Sequence, residues 1–134
     1  MSFNVGYIAG GRFDPPFMPT KTEPFIEGRL LEVYGMVTDF TDVWIADRDY
    51  ELVSIAMESS AFQVRDNWSV KHNDRVICNH IYVKQAPEEV YLMAVITVKA
   101  GDRLQFTFNN EGGHSKFVSI NYQMLADPGA VAVV

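Results

Sequence analysis

Between Glu51 and Leu125 one pattern repeats: a short run alternating apolar with polar residues, closed by a turn. Phe62, Val64, Trp68 and Val70 fall on one side, and Gln63, Arg65, Asn67, Ser69 and Lys71 on the other. Successive strand side chains point to opposite faces, so this spacing predicts a half-buried strand from Phe62 to Lys71. The pattern returns about every ten residues, the rhythm of an antiparallel sandwich or barrel.

Other runs follow the same rule. Gly28 to Thr38 sets Leu31, Val33 and Val37 against Leu30, Tyr34 and Met36, so a strand covered on both faces is expected there. Val43-Trp44-Ile45 reads as a short strand, and Tyr50 to Met57 as one with Val53, Ile55 and Met57 inward. Arg75 to Lys84, Glu89 to Val98, Arg103 to Asn109 and Lys116 to Met124 complete the set. Ala100-Gly101-Asp102 is a tight turn with glycine where positive φ costs little. About eight strands and no amphipathic helix predict an all-β, jelly-roll-like antiparallel sandwich. An immunoglobulin-like sandwich is the runner-up, but its paired cysteines are missing.

The ends differ from this body. Residues 1–27 hold four of the six prolines, with Phe3, Tyr7, Ile8, Phe13, Phe17, Phe25 and Ile26 among them. Proline has no ladder donor, so an extended N-terminal arm is expected over 1–27, ahead of a sandwich over 28–125. Its aromatics need a surface to cover, either the chain's own body or a neighbouring subunit. The tail, 126–134, is apolar to its end at Val131, Val133 and Val134. Phe13, Phe17, Phe25, Val131, Val133 and Val134 are therefore the candidate assembly contacts.

Composition removes several function classes. The 134 residues suffice for one domain with its own core. A net charge of −6 and a pI near 4.9 give no basic footprint for nucleic acid. No apolar run nears the roughly 20 residues that cross a bilayer, so no membrane partner is expected. The start, Met1 to Gly6, lacks the basic and apolar blocks of a secretory leader, which predicts folding in a cytosol. Cys78 is the single cysteine, so no internal disulfide and no cysteine zinc cluster can form. It reads as a small buried hydrophobe, with His80 two residues on and hence on the same face.

Chemistry is sparse. There is no phosphate-binding glycine loop and no GxSxG turn, and His72, His80 and His114 show no metal-ligand spacing. Asp66 falls on the apolar side beside Trp68, so its carboxylate needs a partner such as Arg65, Arg75 or a turn amide. Asp39, Asp42, Asp47, Asp49, Asn73 and Asp74 are oxygen donors without EF-hand spacing, and turn chemistry accounts for them. No catalytic residue, metal ligand or cofactor is assigned. Aromatic and amide residues near loops suggest a sugar surface instead, with Trp44 as an exposed ring and Asn109, Asn110 and His114 as hydrogen-bonding partners.

Trp68 to Leu125 resembles a module of tailed-bacteriophage virion proteins. The resembling pieces are Asn67-Trp68-Ser69-Val70, Ile81-Tyr82-Val83-Lys84, Pro87 to Leu92, Val98-Lys99-Ala100-Gly101-Asp102 and Phe106-Thr107-Phe108-Asn109-Asn110, with Lys116 and Asn121-Tyr122. They cover a little over half the chain. The resemblance implies a jelly-roll-like, non-enzymatic structural component of a virion, made in the host cytoplasm. It would decorate or cement a capsid, or belong to the head or tail, and contact other virion proteins and copies of itself, as a trimer for instance. The alternative expectation is a carbohydrate-binding sandwich used free or for host attachment.

Overall fold

The computed structural model describes residues 18–128 and the backbone of β1 (Tyr7–Ile8) and β2 (Gly11–Arg12), which pair with each other. Phe13, Phe17, Val131, Val133 and Val134 lie outside the described residues. Eight further strands follow: β3 (Glu23–Val33), β4 (Asp39–Ile45), β5 (Tyr50–Ser59), β6 (Asn67–His72), β7 (Arg75–Tyr82), β8 (Glu88–Val98), β9 (Arg103–Asn109) and β10 (Lys116–Ala126). There is no helix among the described residues.

The first sheet runs β3-β10-β5-β8 and the second β4-β9-β6-β7, all neighbours antiparallel. Among these eight strands only β6 and β7 are joined in sequence and paired in one sheet; every other connection crosses between sheets. This is jelly-roll connectivity, eight strands rolled into two four-stranded sheets.

The alternation predicted from sequence holds best in β9 and β10. Leu104, Phe106 and Phe108 of β9, and Val118, Ile120, Tyr122 and Met124 of β10, are buried. They meet Tyr50, Leu52, Ile55, Trp68 and Val70 between the sheets. Trp68 lies 6.0 Å from Phe106, ring centre to ring centre, and Phe106 lies 6.4 Å from Phe108. Each such side chain removed from water contributes roughly 1.5–3 kcal/mol.

Four expectations need correction. The sandwich begins at Glu23 rather than at residue 28, so the end of the expected arm is strand. Pro24 is tolerated because β3 is an edge strand, where a missing N–H need not break a ladder on both sides. The strand expected from Phe62 is only Asn67–His72, and Phe62 and Val64 are exposed in the loop before it. Asp66 N bonds Gln63 O there, closing a turn that interrupts the period-two pattern.

Val53 does not point inward. Between Gln123 and Met124 of β10, β5 advances two residues, from Ser54 to Leu52, so Val53 is the extra residue of a bulge. The bulge shifts the phase, and Tyr50 and Leu52 become core on one side of it, Ile55 and Met57 on the other. On the opposite flank, Leu52 faces Ile96 while Ser54 faces Tyr91. The excess residues of β8 are accommodated around Met93, at φ 64°.

Finally, the outer face of the first sheet is open. Leu30, expected to be covered, is 72% exposed on it, and the strand expected to run to Thr38 ends at Val33, so Tyr34 and Met36 fall in the turn beyond, 56% and 98% exposed. Ile26, Gln123, Ser54 and Tyr91 form one row across its four strands. Around that row Pro24, Ile26, Val53, Tyr91 and Leu125 line a groove of about 400 Å³. Beside it, the buried carboxylate of Glu51 accepts from Thr20 N, Thr20 Oγ1 and Lys21 N, tying the chain ahead of β3 across β10 to β5.

Candidate functional site

Of the four residues expected to form a sugar surface, the fold leaves one in a cleft. Trp44 is not an exposed ring. It faces inward on β4, half-buried, 5.7 Å from Tyr50 and stacked 6.2 Å from Tyr122. Its neighbours Val43 and Ile45 take the outward positions, as alternation requires. Asn110 is buried and structural, donating to Tyr34 O and His114 O. His114 is exposed in the same loop and does not line the cleft. Phe25, a candidate assembly contact, also turns inward and stacks 5.0 Å from Tyr50 beneath Arg48.

Asn109 is the residue that remains. It ends β9 on the outer face of the second sheet, opposite Asn67 of β6, which in turn lies opposite Tyr82 of β7. Asp39 of β4 faces Asn109 from the other side. One transverse row, Tyr82-Asn67-Asn109-Asp39, thus crosses four strands. Arg65, Asn67, His80, Tyr82, Asn109 and Glu111 line a cleft of about 440 Å³ around it.

Asn67 organises the cleft. It is 6% exposed, and its side-chain N–H donates to Arg65 O at 3.1 Å, which fixes the orientation of the amide. Its Oδ1 accepts from Asn109 Nδ2 at 2.6 Å and from His80 Nδ1 at 3.1 Å. Because Oδ1 can only accept, His80 carries a proton on Nδ1, and the tautomer that matches this bond leaves Nε2 as the acceptor. Asn109 keeps a carbonyl oxygen to accept and a second N–H to donate. Tyr82 is 57% exposed, so one ring face is open to solvent.

A bulge places His80. Trp68 faces Ile81 and Val70 faces Cys78, so β7 spends three residues against two on β6. His80 takes φ 54° and its N–H donates to Ser69 Oγ rather than to the ladder. A left-handed non-glycine residue costs of order 1–3 kcal/mol and persists where its surroundings hold it. The expectation that Cys78 and His80 share a face fails for this reason: Cys78 enters the core while His80 turns out to the cleft. Burial pushes the Cys78 thiol up to about 11, which leaves it without thiolate character at neutral pH.

Most of the other polar residues singled out from sequence are partnered within the fold. Asp66 meets Lys116 and the Gly112 amide, not Arg65 or Arg75. Asp42 pairs with Arg29, Asp47 accepts from Tyr50, Asp49 from Ala100 N and Asn73 from Arg103 N. Among the described residues no three His, Cys, Asp or Glu side chains converge as a metal site. Sequence reasoning placed Arg65, Asn67 and Ser69 outward but did not connect them with Asn109. The pairing of β6 with β9, distant in sequence, makes that connection.

The model of a family described as Domain of unknown function (DUF8551) matches residues 21–129, which are the sandwich and the cleft together. The chain belongs to the DUF8551 family. The match starts just before β3 and runs past the end of β10, so the DUF8551 unit is the jelly roll itself. No curated protein matches the sequence. Among solved structures, the chain is similar to dimeric latent PorU from Porphyromonas gingivalis at 12% identity and a TM-score of 0.34. That likeness covers 85% of this chain and 15% of the other, so this chain spans only a small part of that protein's length.

Proposed function

We propose that this protein is a non-enzymatic structural component of a tailed-bacteriophage virion, decorating or cementing the capsid. The observation that carries the reading is the outer face of the first sheet. The sandwich has a complete core, yet this face presents Ile26, Leu30, Tyr91, Met93 and Phe117, each more than half exposed. Phe117 lies opposite Glu32, which makes Leu30 its diagonal neighbour on the same face. Apolar groups gathered on one face of a folded domain mark a docking surface. The partner is an adjacent virion subunit, another protein of the particle or a second copy of this chain. Jelly rolls build viral capsid domains among other structures, a fold-level analogy that supports the reading. The resemblance of Trp68 to Leu125 to virion modules supports it as well.

Leu30→Asp combined with Tyr91→Asp tests it. Both side chains are exposed, at 72% and 66%, so the variant should keep its melting temperature. It should fail to co-sediment with assembled particles lacking the wild-type protein. Normal incorporation of the variant would remove the outer face as the docking surface and with it the support for this reading.

A further inference from the structure

The cleft on the second sheet lies on the outer face opposite to the proposed docking surface, so it stays free when the first sheet is covered. We propose that it is a saccharide-binding site that takes a neutral sugar ring against Tyr82. Three features of the cleft select this ligand class.

The first is the pairing of an open aromatic face with convergent hydrogen-bonding groups. A pyranose has one face of C–H groups and a rim of hydroxyls, each able to donate and accept. The C–H face complements the negative face of the Tyr82 ring. The rim needs donors and acceptors side by side, and the cleft supplies both. Asn109 Oδ1 and His80 Nε2 accept, while the second Asn109 N–H and the Arg65 guanidinium donate.

The second is preorganisation. Asn67 is almost fully buried and spends its amide on Arg65 O, Asn109 and His80 rather than on solvent. It is a positioning residue: it sets the orientation of two side chains that would touch the ligand. The bulge at His80 turns that ring toward the cleft, the re-aiming that bulges perform next to binding sites. Binding groups already held in place lose little freedom when a ligand arrives.

The third is charge. Arg65 and Glu111 place one cation and one anion in the lining, which offset each other. The whole chain carries −6, so a polyanion such as nucleic acid or an acidic polysaccharide is repelled. A second row of hydroxyls, Ser69 opposite Thr107 opposite Thr41, follows on the same face. It lies roughly 6.6–6.8 Å along the strands, so a ligand longer than one ring finds polar partners beyond the cleft.

The full chain, labelled with ¹⁵N, is titrated with mono- to trisaccharides of glucose, galactose, mannose and N-acetylglucosamine, and separately with inorganic phosphate and sialic acid. The expected result is saturable shifts at the amides of Asn67, His80, Tyr82 and Asn109 with at least one neutral sugar at millimolar concentration or below. Tyr82→Ala should weaken that binding about tenfold or more, and Tyr82→Phe should retain most of it. Asn67→Ala should weaken it while also shifting the His80 ring resonances without ligand, which a residue that merely contacts sugar would not do. Leu30→Asp, on the other sheet, should leave it unchanged, and Tyr82→Ala should leave particle incorporation unchanged. Absence of saturable shifts with every neutral sugar overturns the proposal. So does binding that is indifferent to Tyr82→Ala, or saturation by phosphate or sialic acid alone.

Discussion

Lys116, the first residue of β10, points into the sandwich and its ammonium meets the carboxylate of Asp66, with both side chains at 0% exposure. The pair joins the first sheet to the loop that feeds β6 of the second. Gly112 N donates to the other carboxylate oxygen at 2.8 Å, and the ammonium lies 5.7 Å from the centre of the Phe108 ring. A buried ion pair adds little against an apolar replacement, but breaking it leaves a charge in the core. Lys116→Met should therefore cost about 3–5 kcal/mol in urea unfolding. Lys116→Met combined with Asp66→Asn should recover much of that, because the amide oxygen still accepts from Gly112 while the charge is gone. A double variant no more stable than Lys116→Met alone would show that the lysine acts by packing.

Cys78 gives a second prediction. It is 4% exposed, and burial pushes its thiol up to about 11. Reaction needs both access and thiolate, and the native fold withholds both. Native protein at mildly alkaline pH should not react with Ellman's reagent on the timescale of a free thiol. In denaturant one thiol per chain should react. Rapid labelling of the native protein would mean that β7 opens readily around the bulge at His80.

The acid limb of stability should involve Asp102. Its carboxyl is held below the ordinary 3.8, first by accepting from Lys99 N at 2.9 Å and then by His72 at 2.8 Å. A depressed folded pKa means that ionised Asp102 favours the native state. Its contribution is present above the unfolded value and is lost as pH falls through the folded one. Asp102→Asn should thus be less stable than wild type near neutrality, with the difference shrinking below about pH 4. A difference independent of pH would assign the effect to the turn's shape rather than to charge.

The sequence made the regular strands legible and hid the irregular ones. β9 and β10 alternate without interruption, so Leu104, Phe106, Phe108 and Tyr122 could be placed in the core by period alone. Gly101, at φ 89°, was readable from the Ala-Gly-Asp turn. Val53 and His80 were not, because a bulge adds one residue and reverses the phase of everything beyond it. Nothing in Leu52-Val53-Ser54 or Asn79-His80 marks that addition, which depends on the partner strands. Trp44 was misplaced for a different reason: its short apolar run, Val43-Trp44-Ile45, fits either face, and packing against Tyr50 and Tyr122 decides between them. The cleft was half visible for the same physical cause. Asn109 could be named, but its union with Asn67 and Tyr82 follows from strand pairings that the crossover topology creates.

The last prediction concerns how the chain ahead of the sandwich is held. Glu51 sits on the outer side of β5, where a carboxylate would ordinarily be solvated, yet it is only 6% exposed. It is covered because Thr20 and Lys21 cross over it, and both backbone N–H groups donate to its Oε1, at 2.9 and 2.8 Å. Thr20 Oγ1 adds a third donor at 2.7 Å. Lys21 is held again by Asp127 at 3.0 Å, an interaction that raises the lysine pKa. Hydrogen bonds to a charged group contribute roughly 1.5–3 kcal/mol each, whereas an exposed ion pair contributes about 0–1 kcal/mol. Glu51 is therefore the principal clamp and Asp127 the lesser one. Limited trypsin digestion reads this directly, since cleavage after Lys21 requires the backbone to leave Glu51. Glu51→Ala should speed that cleavage by about tenfold or more through a larger population of the open segment. Asp127→Asn should change it far less, and the jelly roll should remain resistant in both. Equal acceleration by the two variants would shift the clamp to the lysine side chain and leave the Glu51 cradle as a local solvation effect.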